Sequence, residues 1–251
     1  MPISISIIPI LGLPEIQPGD NLVKMVIDAA FKQDIAIQHK DILVFAQKIV
    51  SKSEGRIVKI RDISPSHFSI AVSKLLDKDP RFVEIILRES QRIVKMDKGR
   101  LIVENRKGII CANAGVDISN VSGGEEVTLL PAEPDESAKG FVEGFRDELG
   151  IDAAVIITDT VGRPWREGLV QIAIGCYGLN PLKDYRGKVD SKGYDLHATV
   201  LAVADEISGA AGLVMRKTEG VPVVIIKGYD YEKSAEGAKK LLRNPDNDLF
   251  R

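Results

Sequence analysis

A chain of 251 residues that is 44% hydrophobic and 28% charged can bury a substantial core, as one large domain or two small ones. Its 34 Lys plus Arg against 36 Asp plus Glu leave a net charge of −2, so no field of one sign covers it, and bulk binding to nucleic acid or a membrane surface is a poor expectation. The N-terminal stretch lacks a basic n-region and no apolar run reaches spanning length, which predicts a cytoplasmic protein.

Ile3, Ile5 and Ile7 alternate with Ser4 and Ser6, predicting a half-buried strand that Gly12 and Pro14 break. Asp20 is placed to cap a helix whose Leu22, Val23, Val26, Ile27 and Ala30 form one apolar face, and Asp41–Ala46 follows as a buried strand. This is a β-α-β opening. Helical patterns over roughly Pro65–Leu76 and Arg81–Arg88 precede short strands at Arg92–Met96, Leu101–Glu104 and Gly108–Ala112, an antiparallel insert. Asp135 is the expected cap of a helix carrying Ala138, Phe141, Val142, Phe145 and Leu149, stopped by Gly150. A buried strand, Ala153–Thr158, ends at a turn holding Asp159 and Thr160. Irregular chain over Gly178–Asp195, a small-residue helix over Leu196–Met215, a strand at Val221–Ile226 and a C-terminal helix complete the pattern. The fold class is α/β with mixed α+β character: a two-layered, two-domain subunit. Residues 1–90 and 190–251 would form an α/β layer and residues 91–189 a strand-rich middle domain.

Cys111 and Cys176 sit in apolar contexts without CxxC spacing and read as small core hydrophobes. His39, His67 and His197 have neither HxH nor HExxH spacing, so any metal would be held by oxygen. Asp159 and Thr160 offer a hard carboxylate and a hydroxyl at a strand's carboxyl end, where α/β sheets bind ligands, and Arg163 and Arg166 could clamp phosphates or carboxylates. A surface turn with a capping Asp is the plain alternative. Asp117 and Asn120 leave a second strand exit among small residues; Asp117 could converge with Asp159 on one cation, or Asp117 and Asn120 could simply make Asx turns. Lys48 and Lys52 follow the strand ending at Ala46, where they could neutralise phosphate or remain solvated. Glu206, in a small-residue stretch, is a further candidate ligand, although helix packing explains its neighbours equally well. P-loop, NKxD, GxGxxG and GxSxG patterns are absent, so a nucleoside triphosphate would bind outside the P-loop and Rossmann modes.

The segments Pro9–Pro14, Val44–Arg56, Asn113–Asn120 and Thr158–Arg166, with Gly187, Asp190 and Gly193 and then Ala204-Asp205-Glu206, together resemble the coenzyme F420-0:γ-glutamyl ligase family over nearly the whole chain. The resemblance implies a GTP-dependent ligase that adds L-glutamate to the 5-deazaflavin precursor F420-0 through a γ-linkage. It also implies two divalent ions, Mn²⁺ or Mg²⁺, together with K⁺, and a homodimer of two-domain subunits. By resemblance, Leu11, Gly12, Leu13, Pro14, Gln47, Lys48, Lys52 and Asn120 fall at nucleotide contacts, with Gln47 standing where the family more usually has Ser. Asp117, Asp159, Thr160 and Glu206 fall at the metal positions. Lys48 or Lys52 would steady the transferring phosphoryl group, Arg163 or Arg166 the incoming glutamate, and Trp165 or Tyr177 would stack on the deazaflavin, core packing being the better reading of Tyr177. A metal-dependent phosphotransferase and a nucleotide- or deazaflavin-binding regulator without turnover are the competing functions.

Overall fold

The structure, a computed structural model, describes residues 4–118, 125–216 and 218–249. The chain opens with β1 (Ser6–Ile10), α1 (Leu22–Phe31), β2 (Ile42–Ala46) and α2 (Gln47–Ser53). Then come β3 (Ile57–Lys59), α3 (His67–Leu76), α4 (Pro80–Arg88), β4 (Ser90–Asp97), β5 (Arg100–Asn105), β6 (Ile110–Ala112), β7 (Asp117–Ile118) and β8 (Glu126–Thr128). The remainder is α5 (Pro134–Leu149), β9 (Ala154–Arg163), β10 (Arg166–Tyr177), β11 (Lys183–Asp184), β12 (Val200–Leu201), α6 (Val203–Met215) and β13 (Val223–Lys227). This is the mixed α/β class expected from the sequence.

The main sheet has the order β1-β13-β2-β9-β10. Its middle strands are apolar on both faces, as a sheet covered on both sides requires, and Ile42 to Phe45, Ala154 to Ile157 and Val223 to Ile225 are fully buried. Leu43, Phe45, Val155 and Ile157 pack with Val26, Val142 and Phe145 under α1 and α5, while Ile42, Val44, Ala154 and Ile156 pack with Ile207, Ala211 and Met215 under α6. Phe45 anchors the first face, its ring 4.8 Å from that of Phe141. Strands β2 and β9 run parallel and the other pairings of this sheet are antiparallel. The opening unit is β-α-β in direction, with β13 inserted between β1 and β2.

Strands β4 to β6 form the antiparallel sheet read from the sequence, and β3, β8 and β7 form a second. Together with α3 and α4 they enclose a separate core around Val72, Val83, Ile86, Leu101, Val103 and Val127. Strands β9 and β10, which lie within 91–189, join the main sheet alongside strands from both chain ends.

Several local expectations change for physical reasons. The first strand is Ser6–Ile10, because pairing with β13 extends it through Pro9. Helix α1 is capped by Asn21, whose oxygen accepts from the Lys24 amide at 3.1 Å, since the Asp20 carboxylate turns back to the Gln17 amide at 2.7 Å. Asp135 lies inside the first turn of α5 rather than capping it; its carboxylate accepts from the Cys176 amide at 2.9 Å and the Ala238 amide at 2.7 Å. Those contacts occupy an amide on the edge strand β10 and draw the chain near Ala238 into a 3-10 turn, Ala238–Leu241. A second such turn, Pro245–Asn247, follows in place of the expected C-terminal helix. Gly175 permits the close approach: a side chain there would sit 2.5 Å from the Pro134 carbonyl. Helix α6 begins only at Val203, because Val200 and Leu201 pair with β11 first.

At the amino end of β2, the buried Asp41 pairs with Lys227 and accepts from the Gln38 amide at 2.8 Å. Removing one partner strands the other, so Asp41→Ala should lower the unfolding free energy by about 3 kcal/mol, read from urea denaturation at neutral pH.

Candidate active site

Register places Ala46, the last residue of β2, beside Thr158 of β9, so two parallel strands end together. Ligands bind at such carboxyl ends. The two strands then diverge. Strand β2 passes directly into α2 at Gln47, whereas β9 runs on, paired only with β10, as a hairpin to Arg163. Asp159 and Thr160 are therefore the first two residues of a strand extension, not a turn as the sequence suggested.

The divergence opens a cavity of about 360 Å³. It is lined by Leu13 and Pro14 of the loop after β1, Gln47, Lys48 and Lys52 of α2, Asp117 of β7, and Asp159 and Thr160 of β9. Eight candidates scattered over nearly 150 positions are thus brought to one place. Lys48 and Lys52 stand one helical turn apart and share the cavity face. The Lys48 ammonium is 2.6 Å from the Asp117 carboxylate, and Lys52 is paired with Glu15. Gln47 is buried and its side-chain Oε1 accepts from the Ser51 hydroxyl at 2.9 Å. An Asp159 oxygen accepts from the Thr160 amide at 2.7 Å, and the buried Thr158 hydroxyl donates to the Ile172 carbonyl at 2.7 Å. Asp117 follows a run of left-handed residues, Asn113, Ala114 and Gly115, with φ of 53°, 58° and 72°. That conformation is costly at Ala114, so strain is held where the carboxylate is aimed.

Other candidates fall elsewhere. Leu11 and Gly12 line an adjacent hollow with Met25, Asp28, Lys32 and Gln33, which shares Pro14 with the main cavity. Arg163, Trp165 and Arg166 lie at the exposed hairpin tip; four residues of strand at roughly 3.3 Å each set Arg163 about 13 Å beyond Asp159. Glu206 is exposed in the first turn of α6, nine residues before Met215, which lines the cavity; at 1.5 Å per residue that is about 13 Å along the helix. Tyr177 packs against the core beneath α5. Asn120 lies outside the described residues.

The cavity also has walls that sequence reasoning missed: Glu15, Gln171, Arg216 and Gly220 to Pro222. Arg216 ends α6 with φ of 44° and pairs with Glu219 at 2.6 Å. Its only linear signal is a charged Gly-Pro loop before a strand, which many loops share.

Among the described residues no group of three or more His, Cys, Asp and Glu side chains gathers to hold a metal. Three of the candidates lining the cavity, Asp117, Asp159 and Thr160, offer two carboxylates and a hydroxyl, all hard oxygens. That set suits a Mg²⁺-like ion, which commonly takes one or two carboxylates and completes its shell with phosphate and water. The Cys111 thiol is pushed up to about 12, chiefly by burial and further by the Asp159 carboxylate. Burial, with Asp135 and Asp205 nearby, does the same to Cys176. Neither thiol is poised as a nucleophile.

Residues 11–228 match the sequence profile of the F420-0:gamma-glutamyl ligase family. The chain belongs to that family. It is therefore a ligase enzyme. It is 42% identical over 250 residues to the coenzyme F420:L-glutamate ligase of Methanothermobacter thermautotrophicus, covering 98% of this chain and 99% of that one. The coenzyme F420:L-glutamate ligase of Methanopyrus kandleri is 41% identical over 242 residues, 94% of each chain. That of Methanocaldococcus jannaschii is 41% identical over 216 residues, 86% of each. Among the described residues no helix is long and apolar enough to cross a membrane.

Both thiols are buried and stay protonated at neutral pH, so neither offers a site for an acyl thioester. In the native protein at pH 8, Ellman's reagent should detect neither thiol. In guanidinium chloride both should react, and rapid native reaction of Cys111 would contradict its burial.

Proposed function

We propose that the protein uses GTP to join L-glutamate to coenzyme F420-0 in coenzyme F420 biosynthesis, forming the γ-linked product with release of GDP and phosphate. One observation carries this reading: Lys48, Lys52, Asp117, Asp159 and Thr160 line a single cavity at the ends of β2 and β9. Family membership supplies the substrate class, and the relatives' names supply glutamate and coenzyme F420.

A carboxylate is a poor acyl donor because its leaving group would be oxide. In the first step a carboxylate oxygen of F420-0 attacks the terminal phosphorus of GTP, the bond to the bridging oxygen breaks, and GDP leaves with that electron pair. The resulting acyl phosphate is then attacked at its carbonyl carbon by the neutral amine of glutamate, phosphate departs, and the amine proton passes to solvent. Lys48 places its ammonium group against the phosphate oxygens as charge develops there, with Lys52 on the same helical face beside it. A divalent ion held by Asp117, Asp159 and Thr160 would supply neutralisation of the polyphosphate charge. Gln47 and Pro14 line the cavity that would take the nucleotide. Arg163 or Arg166 reaches glutamate in this scheme only across the length of the hairpin, so the tip would serve a substrate portion remote from the transferring phosphate. Two divalent ions, Mn²⁺ or Mg²⁺, with K⁺, a homodimer and a cytoplasmic location belong to the same reading and rest on resemblance.

Mass spectrometry of F420-0 after incubation with enzyme, Mn²⁺, L-glutamate and GTP, with ATP as control, tests the reaction. Glutamyl increments that require GTP support it. Repeated GDP release that glutamate does not accelerate, with no glutamyl product, would instead point to a phosphotransferase, and nucleotide binding without any product to a regulator. Asp159→Asn at saturating Mn²⁺ should lower glutamate transfer by roughly a hundredfold while Tm stays within about 3 °C. Near-wild-type turnover would remove Asp159 from the metal role.

A further inference from the structure

The two lysine–carboxylate pairs in the cavity are not equivalent. Lys48 and Asp117 are both open to solvent, with side chains 42% and 53% exposed. The Lys52 side chain is only 11% exposed, and its ammonium is bonded to Glu15. This second pair is built into the scaffold. Ile16, the next residue, is buried in the core beneath α1, and the Gly19 amide donates to the Ser53 carbonyl at 2.8 Å, tying the loop after β1 to the last residue of α2. Glu15 and Lys52 are thus held together from both sides, whereas Asp117 sits on a two-residue strand. Glu15 also lines the cavity itself, which sets its negative charge beside whatever anion enters.

An unpaired ammonium at Lys52, beside that of Lys48 once phosphate displaces Asp117, would set two positive charges against a bound anion. Such a site would bind a nucleoside diphosphate product nearly as strongly as the triphosphate, and uniform binding of that kind does not speed turnover. We propose that Glu15 is a positioning residue that holds Lys52 in a neutral, oriented pair and so keeps the cavity from retaining nucleoside diphosphate, leaving Lys48 as the ammonium that exchanges its carboxylate for phosphate. This inference rests on the nucleotide-using reading of the cavity.

The test is calorimetric titration of the intact enzyme with GDP and Mg²⁺, comparing wild type with Glu15→Gln, Glu15→Asp, Lys52→Gln and the double variant Glu15→Gln/Lys52→Gln. Glu15→Gln should lower the Kd for GDP about tenfold, the scale of one added charge-assisted contact. It should also slow steady-state turnover more than the single-turnover rate, because product leaves late. Glu15→Asp, which keeps the carboxylate, should restore the wild-type Kd within about twofold. In the Lys52→Gln background, adding Glu15→Gln should change Kd by less than about twofold, since Glu15 acts through Lys52. An unchanged Kd in Glu15→Gln, with or without a fall in Tm, would overturn the proposal, as would an equal shift in both backgrounds. Failure of the wild type to bind any guanine nucleotide would overturn the nucleotide reading itself, a separate result.

Discussion

The parallel pairing of β2 with β9 is the constraint on which the site depends. Because side-by-side parallel strands end at the same level, Ala46 and Thr158 release their chains together, and what each chain does next determines the cavity. One turns immediately into α2, presenting Lys48 and Lys52 on a single helical face. The other continues into a hairpin that projects Asp159 and Thr160 past the sheet. The pairing holds because Ile42 to Phe45 and Ala154 to Ile157 are buried on both faces between α1 and α5 on one side and α6 on the other. The burial of apolar strands thus decides where charge can be gathered.

The charge so gathered is balanced across elements distant in the chain. Lys48 is neutralised by Asp117 from the second core, and Lys52 by Glu15 from the loop after β1. An exposed pair such as Lys48–Asp117 contributes little to stability, whereas Lys52 is largely covered and its pair is fixed between two tied segments. The left-handed run before Asp117 holds that residue in place, since backbone strain persists only where surrounding structure fixes it. By contrast, the Asp41–Lys227 pair at the opposite end of the sheet is largely buried and holds the strands themselves. One end of the sheet is tied by a buried charge pair, and the other gathers charged side chains around a cavity.

Much of this arrangement is legible in the chain. Runs such as Ile42–Phe45 and Ala153–Ile157 announce buried strands, and the polar residues directly after them, Lys48 and Asp159, mark the exits. The continuation of β9 was not legible, because beyond Thr158 the strand is paired on one side only and no burial imposes a pattern on Asp159 to Arg163. Linear closeness also misleads. Arg163 is four residues from Asp159 yet a strand's length away, and Glu206 is separated from the cavity by most of α6. Caps failed where a neighbouring acid competed: Asp20 and Asn21 are adjacent, and only the geometry of the preceding turn assigns the cap to Asn21. Glu15, Gln171 and Arg216 escaped because their roles arise from contacts between segments far apart in sequence.

The account's central claim is that this one cavity holds the metal and the polyphosphate together. A crystal structure of the protein with Mn²⁺ and a non-hydrolysable GTP analogue tests it most directly, using the anomalous signal of manganese. The account predicts Mn²⁺ coordinated by the Asp117 and Asp159 carboxylates, the terminal phosphates between them and α2, Lys48 moved from Asp117 onto phosphate, and Lys52 still on Glu15. Manganese bound away from Asp159, or a nucleotide outside the cavity between the loop after β1 and α2, would contradict it.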